Sequence, residues 1–306
     1  MLRKLAWTVI FGAGLILTVK AHQTLAELTR PAALPTHPRR IVSLAPSVTE
    51  TLYALGLGDQ VVGVTEYCKY PPEVKSKPQV AGFSDINLEA VLRQKPDLVA
   101  LPVDKIRNQT NLERLGLTVM PLNTRSLSGL METIEQLGQA TGHQPAAGAI
   151  AARIENAIIQ ARVRAEGRER PRVLFSIMHS YQGLGYITEI NAVGRDGFYS
   201  QLIEIAGGIN VYQGALAFPR LSREAVIFLN PEIIIDIIPD TEDLEAVRRD
   251  WMSLTSVTAV RTGRIVFLTD NSDTIPGPRS YQTLTKLSQA FHPVDLMEQE
   301  AVDAAD

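Results

Sequence analysis

Cysteine is almost missing. The 306-residue chain holds a single one, Cys68, so no disulfide can form within it, even in a compartment that would permit one. One thiol cannot build a metal site alone, and the five histidines (His22, His37, His143, His179, His292) are scattered with no HxH or HExxH spacing. No metal site is expected. Surplus charge is missing as well: the formal net charge is −3 and there is no basic run, which leaves nucleic-acid binding without electrostatic support. Nucleophile and nucleotide signatures are missing in turn. There is no GxSxG, no GxxxxGK[ST] and no GxGxxG after a strand, and LGLGDQ at Leu55–Gln60 is too short for a dinucleotide loop.

What is present begins with a leader. Arg3 and Lys4 precede an apolar run from Leu5 to Val19, followed by small residues at Ala21 and Ala26. Such a basic start, apolar run and small-residue site read as a secretory signal peptide over residues 1–26, cleaved after Ala21 or Ala26, which places the mature chain in the periplasm. The run is short for a membrane span of roughly twenty residues. No Cys follows it, so a lipid anchor is not expected.

With 45% hydrophobic residues, the chain is long enough for two modest domains or one large one. After the Pro-rich leader Ala32–Pro38, strand and helix patterns alternate. IVSLAP (Ile41–Pro46) is a buried strand, and Ser47 or Thr49 would cap the helix after it, with Glu50 in the first turn. VVGVTEY, DLVALPV and TVMPL are strands; about Asn87–Lys95, Asn111–Leu115 and Leu127–Thr141 are helices. This alternation indicates a parallel α/β sheet. Ala146–Glu166 has no Pro and only Gly148, which predicts one long helix. The alternation then restarts with RVLFSIM, FYSQLIEIAGGINV, RIVFLT and a closing helix Tyr281–Phe291, interrupted by a hairpin-like insertion at about Tyr181–Gly197.

The second half repeats the first. INLEAVLRQKPDLVAL (Ile86–Leu101) and LSREAVIFLNPEIIIDI (Leu221–Ile237) pair Glu89 with Glu224, Pro96 with Pro231 and Asp97 with Glu232 at one constant offset; a Phe stands six residues before each Glu, at Phe83 and Phe218. The expected organisation is an N-terminal lobe at 39–144, a connecting helix at 145–168, a C-terminal lobe at 171–293 and a tail at 294–306. The fold class is α/β: two Rossmann-like lobes joined by one long rigid helix, with a ligand cleft between them.

SLAPSVTETLYALGLGDQVVGVTEYCKYPPE, NLEAVLRQKPDLV and FPRLSREAVIFLNPEIII, in this order and spacing, resemble the helical-backbone periplasmic binding proteins of ABC importers. That family carries cobalamin, haem or ferric siderophores, and the likeness, from about Arg39 to Pro293, is greatest to its cobalamin-binding branch. The resemblance implies a monomeric binding protein with no cofactor of its own, which passes a corrinoid, or alternatively haem or a ferric siderophore, to a permease dimer in the inner membrane.

It also implies roles for residues. Glu89 and Glu224 match glutamates that meet permease arginines; each also suits a helix start after Asn87 or Ser222. Phe83 and Phe218 stand where the cobalamin binder has Trp lining the cleft, keeping a flat apolar surface without the indole donor. Tyr67 matches an aromatic at the cleft mouth, which Tyr70 could share or leave to pack on Pro71–Pro72. Ala45 and Pro46 end the first strand, and Met178 and His179 end its counterpart, where open α/β sheets place ligands. His179 would ligate a metal centre, bond a ligand amide or serve as a structural polar group. Asp270 and Arg279 match a pocket loop, a surface ion pair being the plain alternative. Cys68 reads as a small buried residue.

A siderophore would want basic residues, which Arg125, Arg195, Arg220 and Arg279 could supply, and haem an axial Tyr67 or His179. A third class, a periplasmic enzyme using Glu50, His179 and Asp270, requires those groups to converge.

Overall fold

The structure is a computed structural model that describes residues 37–82, 85–179, 185–195, 197–239 and 243–293, all within one compact unit. The expected signal peptide and the tail 294–306 lie outside the described residues.

The first sheet is built from β1 (Ile41–Ser43), β2 (Val61–Thr65), β3 (Gln79–Ala81), β4 (Leu98–Pro102) and β5 (Val119–Leu122), in the order β3-β2-β1-β4-β5. All its pairs are parallel. Both faces are covered, so β1 and β4 are buried almost throughout and read as continuous apolar runs. The helices between them are α1 (Pro46–Ala54), α2 (Leu88–Arg93), α3 (Ile106–Arg114) and α4 (Leu127–Thr141). The chain builds outward from β1 through β2 and β3, then returns to the other side of β1 with β4. This order puts a topological switch point at β1.

α5 (Gln144–Ala165) is the long connector, roughly 33 Å from end to end. Ala147, Ile150, Ile154, Ala157 and Ala161 form its buried stripe at alternating spacings of three and four. Gly138 of α4 has no room for a side chain, because a Cβ there would meet Ala147 of α5. This close crossing seats α5 against the first lobe. One continuous core runs through Leu52, Leu130, Ile134, Ile150, Ile154, Phe175, Leu202, Leu284 and Phe291, so the two lobes share buried apolar surface along the connector. A helix held on both sides in this way does not bend without breaking backbone hydrogen bonds.

The second lobe comprises β6 (Arg172–His179), β7 (Glu189–Ala192), α6 (Phe198–Ile205), β8 (Ile209–Asn210), β9 (Arg220–Ser222), α7 (Arg223–Leu229), β10 (Ile233–Ile237), α8 (Leu244–Met252), α9 (Thr258–Arg261), β11 (Ile265–Leu268) and α10 (Ser280–Phe291). Its sheet order is β11-β10-β6-β7-β9, with β8 beside β6. Here the structure departs from a second all-parallel copy. β7 runs antiparallel to both β6 and β9, so the hairpin-like feature is β6 with β7 and not an insertion closed on itself. The extra ribbon pairs with the far half of β6, where the first lobe has no counterpart. α8 and α9 are also absent from the sequence reading. Trp251 of α8 is fully buried, and its indole N–H donates to Asp236 of β10 at 2.8 Å.

The repeated segment has a structural reason at its Pro-acidic end. Asp97 accepts from the backbone N–H groups of Arg39 and Arg40 at 2.8 and 3.0 Å, and Glu232 accepts from the N–H of Arg172 at 2.8 Å. The Arg40 side chain donates to the Gln94 carbonyl at 2.6 Å and the Arg172 side chain to the Leu229 carbonyl at 2.8 Å. In both lobes, then, the end of one helix and the start of one strand are clasped by the same arginine and carboxylate. The residue before each Pro is left-handed, Lys95 at φ 47° and Asn230 at φ 41°. Asn adopts that region readily and Lys does not.

Candidate functional site

Ala45 and Pro46 leave the carboxyl end of β1 at the switch point. Ala45 is the N-cap of α1 with no side-chain cap, and Pro46 occupies the first turn, where its missing N–H costs nothing. Ser47 and Thr49 are therefore not caps, and Glu50 is not in the first turn; the helix starts earlier than the sequence suggests because Pro46 supplies a preset φ. Thr49 points inward instead, with its hydroxyl 2.8 Å from Ser43 Oγ and 3.1 Å from Cys68 Sγ. Cys68 is 6% exposed and also lies 3.2 Å from the Thr65 hydroxyl. It is buried, as expected, but in a polar shell.

Glu50 is the residue sequence reasoning misplaced. It is 4% exposed, and both carboxylate oxygens accept from Arg279 of the other lobe, Nε to Oε2 at 2.9 Å and Nη2 to Oε1 at 2.7 Å. Asp270, the partner considered for Arg279, is 3.9 Å from Nη1. The Arg279 guanidinium carbon sits 3.7 Å from the centroid of the Tyr70 ring, so Tyr70 stacks on a cation. Burial pushes the Glu50 carboxyl above its ordinary range while Arg279 pulls it down. Asp270 is held low, chiefly by the backbone N–H of Ser272 at 2.8 Å. No local signal announces the Glu50–Arg279 pair, whose members are 229 residues apart.

This pair borders a cavity of about 490 Å³ at the boundary of the lobes, within the usual size range of small-molecule pockets. Tyr53, Tyr70, Glu73, Arg153 and Tyr281 line it with them. Tyr70 and Arg279 follow β2 and β11, and the floor is Ile150 and Arg153 of α5. The lobes also touch where Gln201 of α6 accepts from the Leu127 N–H at the start of α4, at 2.7 Å.

The aromatic residues divide. Tyr67 and Tyr70 are 46% and 44% exposed beyond β2, and Phe218 is 59% exposed beyond β7. A hydrogen bond with Glu66 raises the pKa of the Tyr67 hydroxyl. The Phe218 loop is pinned by Gly194 N–H to Ala217 O at 2.7 Å and Ala192 N–H to Pro219 O at 2.9 Å. Gly194 is required there, since any Cβ would collide with the Leu216 carbonyl. Phe83 lies outside the described residues. Met178 and His179 have their backbone at the carboxyl end of β6, and their side chains lie outside what the structure describes. Of the arginines considered for an anionic ligand, Arg220 is bonded to Glu189 and Arg279 to Glu50. Among the described residues, no group of three or more His, Cys, Asp or Glu could hold a metal ion, and no helix is long and apolar enough to cross a membrane.

Glu89 and Glu224 occupy the second position of α2 and α7. The caps are Asn87, accepting from Ala90 N–H at 2.9 Å, and Ser222, accepting from Ala225 N–H at 3.3 Å. The Glu89 side chain is 83% exposed, with Arg93 a loose 3.9 Å away. Glu224 is exposed and accepts from the Ser222 hydroxyl at 2.8 Å, which lowers its pKa. The contacts of both carboxylates are local, to a side chain four or two residues away.

Two α/β lobes on one helical spine, with a pocket where they meet, define a class of solute receptors. Residues 41–272 match the family described as periplasmic binding protein, and the chain belongs to it. It is 31% identical over 273 residues to a cobalamin-binding protein of Halobacterium salinarum, covering 85% of this chain and 71% of that one. Its structure is similar to a periplasmic vitamin B12 binding protein of Vibrio cholerae (TM-score 0.72, 26% identity, 84% of this chain and 98% of the other). It is similar also to a periplasmic heme-binding protein of Roseiflexus sp. RS-1 (TM-score 0.68, 29% identity, 84% and 98%). The family is one of extracytoplasmic binding proteins that hold small ligands for ABC transporters, not one of enzymes.

Proposed function

We propose that this chain is exported by its N-terminal signal and captures cobalamin or a related corrinoid for an inner-membrane permease. The observation that carries the ligand reading is the cancelled charge at the lobe boundary. Glu50, Glu73, Arg153 and Arg279 line the cavity there together with the rings of Tyr53, Tyr70 and Tyr281. A site with flat aromatic surface and polar groups of no net charge suits a bulky ring bearing peripheral amides. In this reading the ligand meets Ala45, Pro46, Tyr67, Phe83, Met178, His179, Phe218, Asp270 and Arg279. Arg279 keeps Nη1 for an amide carbonyl, because Glu50 takes only Nε and Nη2. The relatives named for cobalamin and vitamin B12 support the same choice.

The test is titration of the purified mature protein with cyanocobalamin, haemin and a ferric hydroxamate, followed by visible spectra and calorimetry. Stoichiometric binding of cyanocobalamin at micromolar levels or tighter is expected, and the double variant Phe83→Ala, Phe218→Ala should weaken it by a few kcal/mol, as buried aromatic anchors do. Binding of haemin with none of cyanocobalamin would overturn the corrinoid reading in favour of haem, with Tyr67 or His179 as axial ligand.

A further inference from the structure

Arg279 crosses from the loop after β11 to the opposite lobe, and the way it is held there bears on which ligands the site accepts. Its fork uses both oxygens of Glu50, at 2.9 and 2.7 Å. One face of the guanidinium lies on Tyr70 at 3.7 Å, and Asp270 is 3.9 Å from Nη1. A single cation is thus enclosed by two carboxylates and a ring. The Glu50 side chain is 3% exposed and that of Arg279 16%, so solvent screens the pair weakly. The Gly277 turn of the same loop packs against Ser47 and Glu50 of α1, which keeps the fork in register across the lobe boundary.

We infer that Glu50 is a specificity-determining residue: it holds Arg279 as an internally neutralised pair, so that the inter-lobe site rejects ligands with free carboxylates. This rests on the reading that the lobe boundary is the ligand site, but not on the ligand being a corrinoid.

The chemistry is asymmetric. A ligand carboxylate approaching Arg279 has two routes. Displacing Glu50 leaves a buried carboxylate unpaired, which is strongly unfavourable. Settling at Nη1 brings it beside Asp270, where like charges repel. An uncharged amide carbonyl accepts from Nη1 without disturbing Glu50. The other guanidinium of the cavity, Arg153, lies 5.6 Å from the centroid of the Tyr281 ring, and Glu73 lines the same cavity. The cavity lining carries as many carboxylates, Glu50 and Glu73, as guanidiniums, Arg153 and Arg279, so it offers an anion no net positive charge.

The experiment compares wild type, Glu50→Gln, Arg279→Gln and the double variant, each titrated with haemin, whose two propionates make it the carboxylate probe, and with cyanocobalamin. Glu50→Gln keeps the side-chain size but releases the charge of Arg279. It should tighten haemin binding by about tenfold, the worth of one charge-assisted contact. That gain should shrink at high salt and vanish when Arg279→Gln is added. A merely structural Glu50 would give a gain insensitive to both. No gain in Glu50→Gln, or a gain that survives in the double variant, overturns the inference. If Glu50→Gln does not fold, Glu50→Met takes its place with the same expectation, because it too removes the carboxylate at similar side-chain volume. A wild type that ignores cyanocobalamin would sink the corrinoid reading, while the haemin ratio between variant and wild type would still decide this one.

Discussion

His292 closes α10 with its ring 4% exposed, and Nε2 has no hydrogen-bond partner. Burial first, then the charges of Arg168, Arg264 and Arg164, hold its pKa below the ordinary 6.5, against a hydrogen bond with the Ala206 backbone. The unfolded chain therefore takes up a proton near pH 6.5 that the folded chain refuses. The associated stability is present above that pH and is lost as pH falls from there toward the folded value. Acid-side denaturant titrations of wild type should show this loss, and His292→Gln should flatten it. An unchanged pH slope in the variant would assign the acid sensitivity elsewhere. At this scale the sequence is least legible. His292 reads as one of five scattered histidines, and Glu50 as a helix-start carboxylate, because what decides each is a neighbour far along the chain.

At the scale of elements, local rules hold where local groups make the contacts. Asn87 and Ser222 cap α2 and α7 because each side-chain oxygen reaches an N–H three residues on. Replacing either by Ala should cost about 1 kcal/mol in urea unfolding, and the two costs should add, since the sites share no partner. A combined cost indistinguishable from zero would mean the helix starts are held by tertiary packing alone. The start of α1 was misjudged for a related reason. Ser47 and Thr49 are good caps by type, but Pro46 sets the first turn, and Thr49 finds better partners in Ser43 and Cys68. The second sheet departs from an all-parallel copy because β7 pairs antiparallel with both β6 and β9, a direction that alternation of apolar residues does not encode.

At the scale of the whole molecule, each lobe presents one exposed carboxylate at the start of a helix, Glu89 and Glu224. Glu89 is 83% exposed. Exposed ion pairs are worth about 0.2–1 kcal/mol, but bidentate pairs desolvated at an interface are worth more, so we propose that both glutamates dock on permease arginines. The double variant Glu89→Arg, Glu224→Arg should abolish uptake into cells or reconstituted vesicles while leaving ligand affinity in solution nearly unchanged. Transport at the wild-type rate would reduce both residues to helix-start charges. The shared core along α5 bears on the same event: with the lobes joined by buried surface, docking acts on a body that hinges little.

The sequence by itself determined the strands and helices that obey a local period, the long connector, the repeat and, through the repeat, the family. Those features depend on contacts within a few residues or on the burial of a face, and both are written in residue order. The tertiary structure alone decided that the Pro-acidic half of the repeat clasps a helix end to a strand start, while its Glu stays exposed. It alone decided that Arg279 is spent on Glu50, 229 residues away. A pattern records which residues want a partner or a surface. Only the fold, by bringing distant segments within hydrogen-bond reach in a poorly solvated boundary, decides which partner each one gets.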